Sequence, residues 1–190
     1  MAMLGSPISS GIDTYETVKW TLDIMLDSLD PAKHFIWEPF KGSGRSTRYM
    51  RSRGFEVTNG DNDDFFEQTT PIPPQNKELV LVSNPPFSIK QRILSHLKHL
   101  GIQRWALLLP ITSITTIYFT TAVDMTALSI IFHYKRVNFI IPETGKPTPK
   151  GAPFEICWFC IGLAPPGTFT MPGIDSSMRT LTKEEMVIEE

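Results

Sequence analysis

The sequence predicts a doubly wound α/β sheet closed by an antiparallel C-terminal hairpin, and three observations carry that prediction. Short apolar runs alternate with segments of helical period, a glycine turn follows the first run, and the last two apolar runs have no clear helix between them. The 190 residues, 41% hydrophobic and 20% charged, suit a single domain spanning 1–190. A chain of that size buries enough surface to fold without a metal or disulfide framework. Its longest apolar stretches, 105–110 and 156–163, fall well short of a membrane span, and its start lacks a basic region followed by an apolar run. The expectation is a soluble intracellular protein of the cytoplasm or nucleus, with no membrane partner.

Taken in order, residues 15–29 place Val18, Leu22, Met25, Leu26 and Leu29 at helical spacing, with Asp13 as the expected N-cap. A strand at 34–37 runs into the turn holding Gly42 and Gly44, followed by a polar helix at 46–53 and a strand at 55–58. An acidic connection and the prolines of 71–74 lead to a strand at 79–82 and an amphipathic helix at 89–100. A strand at 105–109, a Thr/Ile-rich stretch to 121, and strands at 128–132, 138–141 and 154–161 complete the pattern. The proline-rich stretches 71–74 and 142–153 read as connections, because neither separates enough residues for a second core. The polar tail, about 173–190, is expected to fray or to dock as a short helix.

Eighteen basic against twenty acidic residues give a formal charge of −2, so no global positive field draws in nucleic acid. Contact with nucleic acid then requires a local patch or a partner. Cys157 and Cys160 lie three apart in a strand-forming run, which points their side chains to opposite faces and excludes shared ligation. They read as buried strand cysteines.

Three segments carry chemistry. In Glu38-Pro39-Phe40-Lys41-Gly42-Ser43-Gly44 the glycines allow a ligand close to the backbone, while Thr47 stands where a pyrophosphate site would favour a third glycine. Glu38 favours a cationic or hydroxyl-bearing ligand over a phosphate. In the second segment a carboxylate about 20 residues past the turn is placed to grip a ribose. Asp61 is the choice, Asn59 the one-register alternative, and Asp64 with Phe65 would then read an adenine. The third segment, Asn84-Pro85-Pro86-Phe87 after an apolar strand, trades N–H donors for rigid acceptors. The Asn84 side-chain oxygen and the Pro85 carbonyl are suited to take both hydrogens of an aromatic amino group while Phe87 stacks on its ring.

On these residues the sequence resembles the class I S-adenosylmethionine-dependent amino-methyltransferases that act on N6 of adenine in DNA or RNA, over roughly 14–162. The resemblance implies a Rossmann-like methyltransferase sheet with S-adenosyl-L-methionine as cofactor, and places Asn84, Pro85, Pro86 and Phe87 at the catalytic centre. It assigns the cofactor to Thr14, Tyr15, Glu38, Pro39, Phe40, Gly42, Gly44, Asp61, Asp64, Phe65 and Asn84, with the segment 14–17 beside the methionine carboxylate. The implied substrate is nucleic acid, DNA slightly ahead of RNA. No target-recognition region is expected in a chain of this length, so a protein partner would supply it. Two alternatives stay open: methylation of a protein glutamine amide, and a silent subunit that presents nucleic acid to an active partner.

Lesser signals complete the reading. Lys90, Lys146 and Lys150, with Phe87, are the candidate substrate contacts, and Arg92 stands beside them. Arg45, Arg48, Arg51 and Arg53 form a stripe that reads as a solvated face before it reads as a phosphate site. Thr112, Ser113 and Thr115 suit a substrate loop or helix capping equally. His96 and His99 lack the companions of a zinc site, and no metal is expected.

Overall fold

The computed structural model describes residues 16–141, 146–147, 154–165 and 167–170. Four helices, α1 (Lys19–Leu26), α2 (Arg45–Ser52), α3 (Lys90–Leu100) and α4 (Ile117–Ala122), alternate with strands β1 (His34–Trp37), β2 (Glu56–Thr58), β3 (Glu78–Ser83), β4 (Trp105–Pro110) and β5 (Leu128–Phe132). Four further strands follow: β6 (Ile140–Ile141), β7 (Lys146–Pro147), β8 (Ile156–Ile161) and β9 (Phe169–Thr170). Seven of the nine form one sheet in the order β2-β1-β3-β4-β8-β5-β9. Within it β1 to β4 pair in parallel, β8 runs antiparallel to both β4 and β5, and β9 returns parallel to β5. The chain leaves β1 in one direction for β2 and in the other for β3. This is the doubly wound, Rossmann-like order expected, with its topological switch point between β1 and β3.

Period-two alternation along the strands sorts the core onto two faces. Ile36, Val80, Val82, Ala106, Leu108 and Trp158 pack under α1 and α2 with Leu22, Met25, Leu26 and Met50. Trp37, Leu81, Leu107, Leu109, Cys157 and Phe159 pack under α3 and α4 with Ile93, Leu94, Leu97 and Phe119. Each fully buried aliphatic side chain contributes roughly 1.5–3 kcal/mol. The Trp158 indole N–H donates to the Thr21 carbonyl at 2.9 Å, tying β8 to the first helix.

The antiparallel C-terminal pair is present, formed by β5 and β8 rather than by the expected strands at 138–141 and 154–161. β8 is inserted between β4 and β5 because its run Ile156–Ile161 is apolar on both faces, which only an interior strand can bury. Cys157 and Cys160 are both buried there on opposite faces, as expected. The expected strand at 138–141 shortens to Ile140–Ile141 and leaves the main sheet to pair with β7. β9, which the sequence reading did not foresee, takes the edge beside β5.

Helix α1 starts at Lys19 rather than at Tyr15. Glu16 exchanges both backbone hydrogen bonds with Ile140, at 3.0 and 3.1 Å, and Val18 is extended (ψ 148°), so this segment is held out of helical geometry. Asp13 and the tail 173–190 lie outside the described residues. The arginine stripe of α2 is engaged within the chain. Arg45 pairs with Glu16 at 2.9 Å, Arg48 and Arg51 donate to the Ser43 and Val57 carbonyls, and Arg53 bridges to Asp23 and Asp27 of the first helical segment. Neither a free phosphate-binding face nor a purely solvated one describes it.

Candidate active site

In a sheet of this winding, ligands are bound at the carboxyl ends of the strands that flank the switch point. There β1 delivers Glu38 and β3 delivers Ser83. The Glu38 carboxyl is 3% exposed; its Oε1 accepts from the Ser83 hydroxyl and from the Phe40 N–H at 3.1 Å. Its backbone N–H donates to Thr58 O at 2.9 Å, and its carbonyl accepts from the Asn59 amide at 2.8 Å. Burial pushes the Glu38 pKa up to about 8, against the opposing pull of the Ser83 and Phe40 hydrogen bonds, so the group is neutral at pH 7.

After Glu38 the chain turns through Gly42 (φ 51°) and Gly44 (φ 80°), left-handed positions where glycine is unstrained. Gly44 caps α2, and its N–H donates to Lys41 O at 2.7 Å. Two adjacent hollows border this turn and share Phe40 and Lys41. The smaller, about 30 Å³, is lined by Glu16, Thr17, Glu38, Gly42, Arg45 and Asn84 among others. The larger, about 400 Å³, lies among Pro39, Asn59, Gly60, Asp61 and Asp63. Its size falls within the range of small-molecule sites.

The structure therefore gathers Glu38, Pro39, Phe40, Gly42, Asp61 and Asn84 around one crevice. The Asp61 carboxylate accepts from the Thr69 hydroxyl at 2.5 Å and the Thr69 N–H at 3.0 Å, which hold its pKa below the usual value. Asp64 is turned to a local task, capping the short turn Phe65–Glu67 by accepting from Phe66 N–H at 3.0 Å. Phe65 is buried, 4.9 Å from the Phe40 ring and 5.7 Å from Trp37, and lines neither hollow. It backs Phe40, the ring that does reach the crevice.

Beyond Asn84, Pro85 is buried and Phe87 is half-buried, edge-on to Phe154 at 5.5 Å and 6.1 Å from Phe139. The Lys90 ammonium donates to Phe87 O at 2.9 Å and stands 6.0 Å from the Tyr118 ring. Lys146 is exposed on β7. Arg92 stacks 3.5 Å over Phe66, and His96 lies edge-on to Phe65 and Phe66, so both belong to ring packing. Thr14, Tyr15 and Lys150 lie outside the described residues.

Three contributors were not singled out from the sequence: Ser83 holds Glu38; Lys41 pairs with Asp63 at 2.9 Å beside the larger hollow; and Gln68 accepts from the Trp37 indole at 3.0 Å beneath Gly60. Asn59, the one-register alternative to Asp61, lines the larger hollow and joins the β1 turn to the buried Thr47 hydroxyl at 2.8 Å through its amide. The available signal was a polar residue closing an otherwise apolar strand, as Ser83 does, and a threonine where the glycine pattern breaks.

No protein-family model matches the sequence, and no curated protein matches it. Among solved structures, the chain is similar to the 23S rRNA methyltransferase ErmE, with 16% identity, 80% of this chain and 70% of that one covered, and a TM-score of 0.47. It is also similar to a predicted O-methyltransferase, Atu636 from Agrobacterium tumefaciens, with 14% identity, coverage of 85% and 91%, and a TM-score of 0.44. At this level neither neighbour assigns a substrate or a residue's role to this chain.

Proposed function

We propose that this chain is an S-adenosylmethionine-dependent methyltransferase acting on the N6 amino group of adenine in nucleic acid, DNA ahead of RNA. The observation that carries the reading is the convergence on one small hollow of Asn84, at the head of Asn84-Pro85-Pro86-Phe87, with Glu38 and the glycine turn. The cofactor fits the groups present. Glu38 offers a buried carboxyl to a cationic amino group, Gly42 leaves open space where a side chain would project, and ionised Asp61 offers an acceptor for ribose hydroxyls. Phe65 backs the Phe40 ring, a residue shared by both hollows.

When bound, S-adenosylmethionine supplies an electrophilic methyl carbon attached to a sulfonium. Asn84 and the Pro85 carbonyl accept the two hydrogens of the target amine and so free its lone pair for in-line attack, and Phe87 holds the ring. The target base must be single-stranded or flipped from a duplex to reach this position. Lys146 and Lys150 would meet phosphates, and a partner protein would add sequence recognition.

The test is methyl transfer from labelled S-adenosylmethionine to single- and double-stranded DNA, RNA and total protein, beside Asn84→Ala. Label recovered as N6-methyladenine, and lost in a variant that still binds cofactor, is the expected result. Label in protein glutamine, or binding without turnover on any substrate, would replace this reading with glutamine methylation or with a silent subunit.

A further inference from the structure

Between Glu78 and Asp124 the sequence has no acidic residue, and over that stretch it carries Lys90, Arg92, Lys98 and Arg104. In a chain of net charge −2 this is a local excess of positive charge. The fold engages two of the four: Arg104 pairs with Glu78 at 3.1 Å, and Arg92 lies over the Phe66 ring. Lys90 and Lys98 remain. Each donates to a main-chain carbonyl, Phe87 O and Thr121 O respectively, both at 2.9 Å, and among the described residues neither pairs with a carboxylate.

Lys98 lies in a groove of about 780 Å³ between α3 and α4, and Lys90 stands at its border. Helix α3 lines it with Gln91, Ser95 and Lys98, α4 lines it with Ile117, Tyr118 and Thr121, and no carboxylate is among its lining residues. Ile117, 85% exposed, and the half-buried Tyr118 ring give the groove an apolar wall. Lys90 joins the groove to the proline motif, since its ammonium holds Phe87 O and stands 6.0 Å from the Tyr118 ring. Because β3 and β4 pair in parallel, Asn84, just after β3, and the turn Ile111–Thr115, just after β4, lie at the same edge of the sheet. Cations without a counter-charge, neutral donors and an apolar wall are the groups that hold a single strand by its phosphates and its bases.

We propose that the α3–α4 groove is a nucleic-acid subsite that takes the single strand next to the target base. Lys90 and Lys98 meet its phosphates, and Ile117 and Tyr118 receive the neighbouring base. The two lysines are eight residues apart on one helix, about 12 Å along its axis, so they serve different phosphates. The groove is thus the local patch that a chain of negative net charge needs to hold nucleic acid. This inference rests on the nucleic-acid reading above.

Fluorescence anisotropy of short labelled single strands of DNA and of RNA, titrated with the full chain across a salt series, tests it. In Lys98→Gln the slope of log affinity against log salt should shrink by about 1, and Lys98→Arg should keep it. Ile117→Glu, at a side chain too exposed to matter for folding, should weaken binding roughly tenfold or more by setting a like charge against the strand. Lys33→Gln, the same loss of charge just before the amino end of β1, should change neither affinity nor slope. Unchanged affinity in Ile117→Glu, or an unchanged slope in Lys98→Gln, while the unaltered chain binds the strand, overturns the groove and leaves the methyltransferase reading standing. An equal loss in Lys33→Gln also overturns it, because net charge alone then accounts for binding. A labelled polyglutamate peptide that binds with the same dependence on Ile117 would reassign the groove to an acidic protein segment. No binding of either strand by the unaltered chain at millimolar concentration overturns both the groove and the nucleic-acid reading.

Discussion

The Ser83 hydroxyl donates a hydrogen bond to the Glu38 carboxyl across the carboxyl ends of β3 and β1, at the point where the strand order reverses. Glu38 is thereby a buried acid held by two neutral donors, Ser83 Oγ and Phe40 N–H, with burial the larger influence and its pKa at about 8. Ser83 immediately precedes Asn84, so the same strand end sets both the acid before the glycine turn and the first residue of the proline motif.

Stability should fall as pH rises through neutrality. Between 4.5, its ordinary value, and about 8, the Glu38 carboxyl is protonated in the folded chain and ionised in the unfolded one, so unfolding releases a proton and is favoured by rising pH. His133 acts oppositely. Burial lowers its pKa from 6.5 to about 4, so over that window the unfolded state binds the extra proton and stability rises with pH. The two slopes cancel between 4.5 and 6.5, leaving Glu38 to give a decline of at most about 1.4 kcal/mol per pH unit from 6.5 to 8. Urea unfolding across this range should show the decline, and Glu38→Gln should remove it.

Binding of a cationic ligand beside Glu38 should release a proton. Such a charge favours the carboxylate and pulls its pKa down from about 8, so affinity rises with pH up to that value. Calorimetry of S-adenosylmethionine binding in buffers of different ionisation enthalpy measures the release. Ser83→Ala removes a hydrogen bond that lowers the Glu38 pKa, and should move the affinity profile to higher pH.

Asn59 fastens the crevice from the β2 side. Its amide donates to Glu38 O and Thr47 Oγ1, both at 2.8 Å, and Asn59→Ala leaves these acceptors without that donor. The expected loss is about 1–3 kcal/mol in stability, together with weaker cofactor binding. Thermal unfolding and equilibrium binding on the same preparation check both.

Two glycines should respond differently to alanine. At Gly60 (φ 87°) a methyl group would overlap the Gln68 amide, which is held by Trp37 and Asn62, so Gly60→Ala combines backbone strain with a clash. A loss of about 2 kcal/mol or more is expected. At Gly42 (φ 51°) the methyl group meets nothing within 4 Å, leaving backbone strain of about 1–2 kcal/mol. That methyl projects beside the smaller hollow, so Gly42→Ala should harm cofactor binding more than folding. Unfolding and binding curves of the two variants separate the effects.

The thiols should be silent in the folded protein. Burial pushes Cys157 up to about 12 and Cys160 still higher, and both lie inside β8. Under native conditions at pH 8 a thiol reagent should label neither, and in denaturant it should label both. Fast native labelling of either would contradict the placement of β8.

Local pattern was enough for the alternation of strands and helices, because residue periodicity and turn chemistry act over a few positions. It also located the glycine turn and the proline motif. The boundaries at 34–37 and the starts of β4 and β5 agree with the structure for the same reason. What eluded the sequence depends on partners far away along the chain. The start of α1 is set by Ile140, more than 120 residues on; β8 lies between β4 and β5 because both its faces must be buried; and Arg45 and Arg53 are engaged by Glu16, Asp23 and Asp27. The composition of the motif likewise offers a carboxyl at Glu38 and a polar residue at Ser83. Only the tertiary structure decides that they meet away from water, where burial makes the acid neutral.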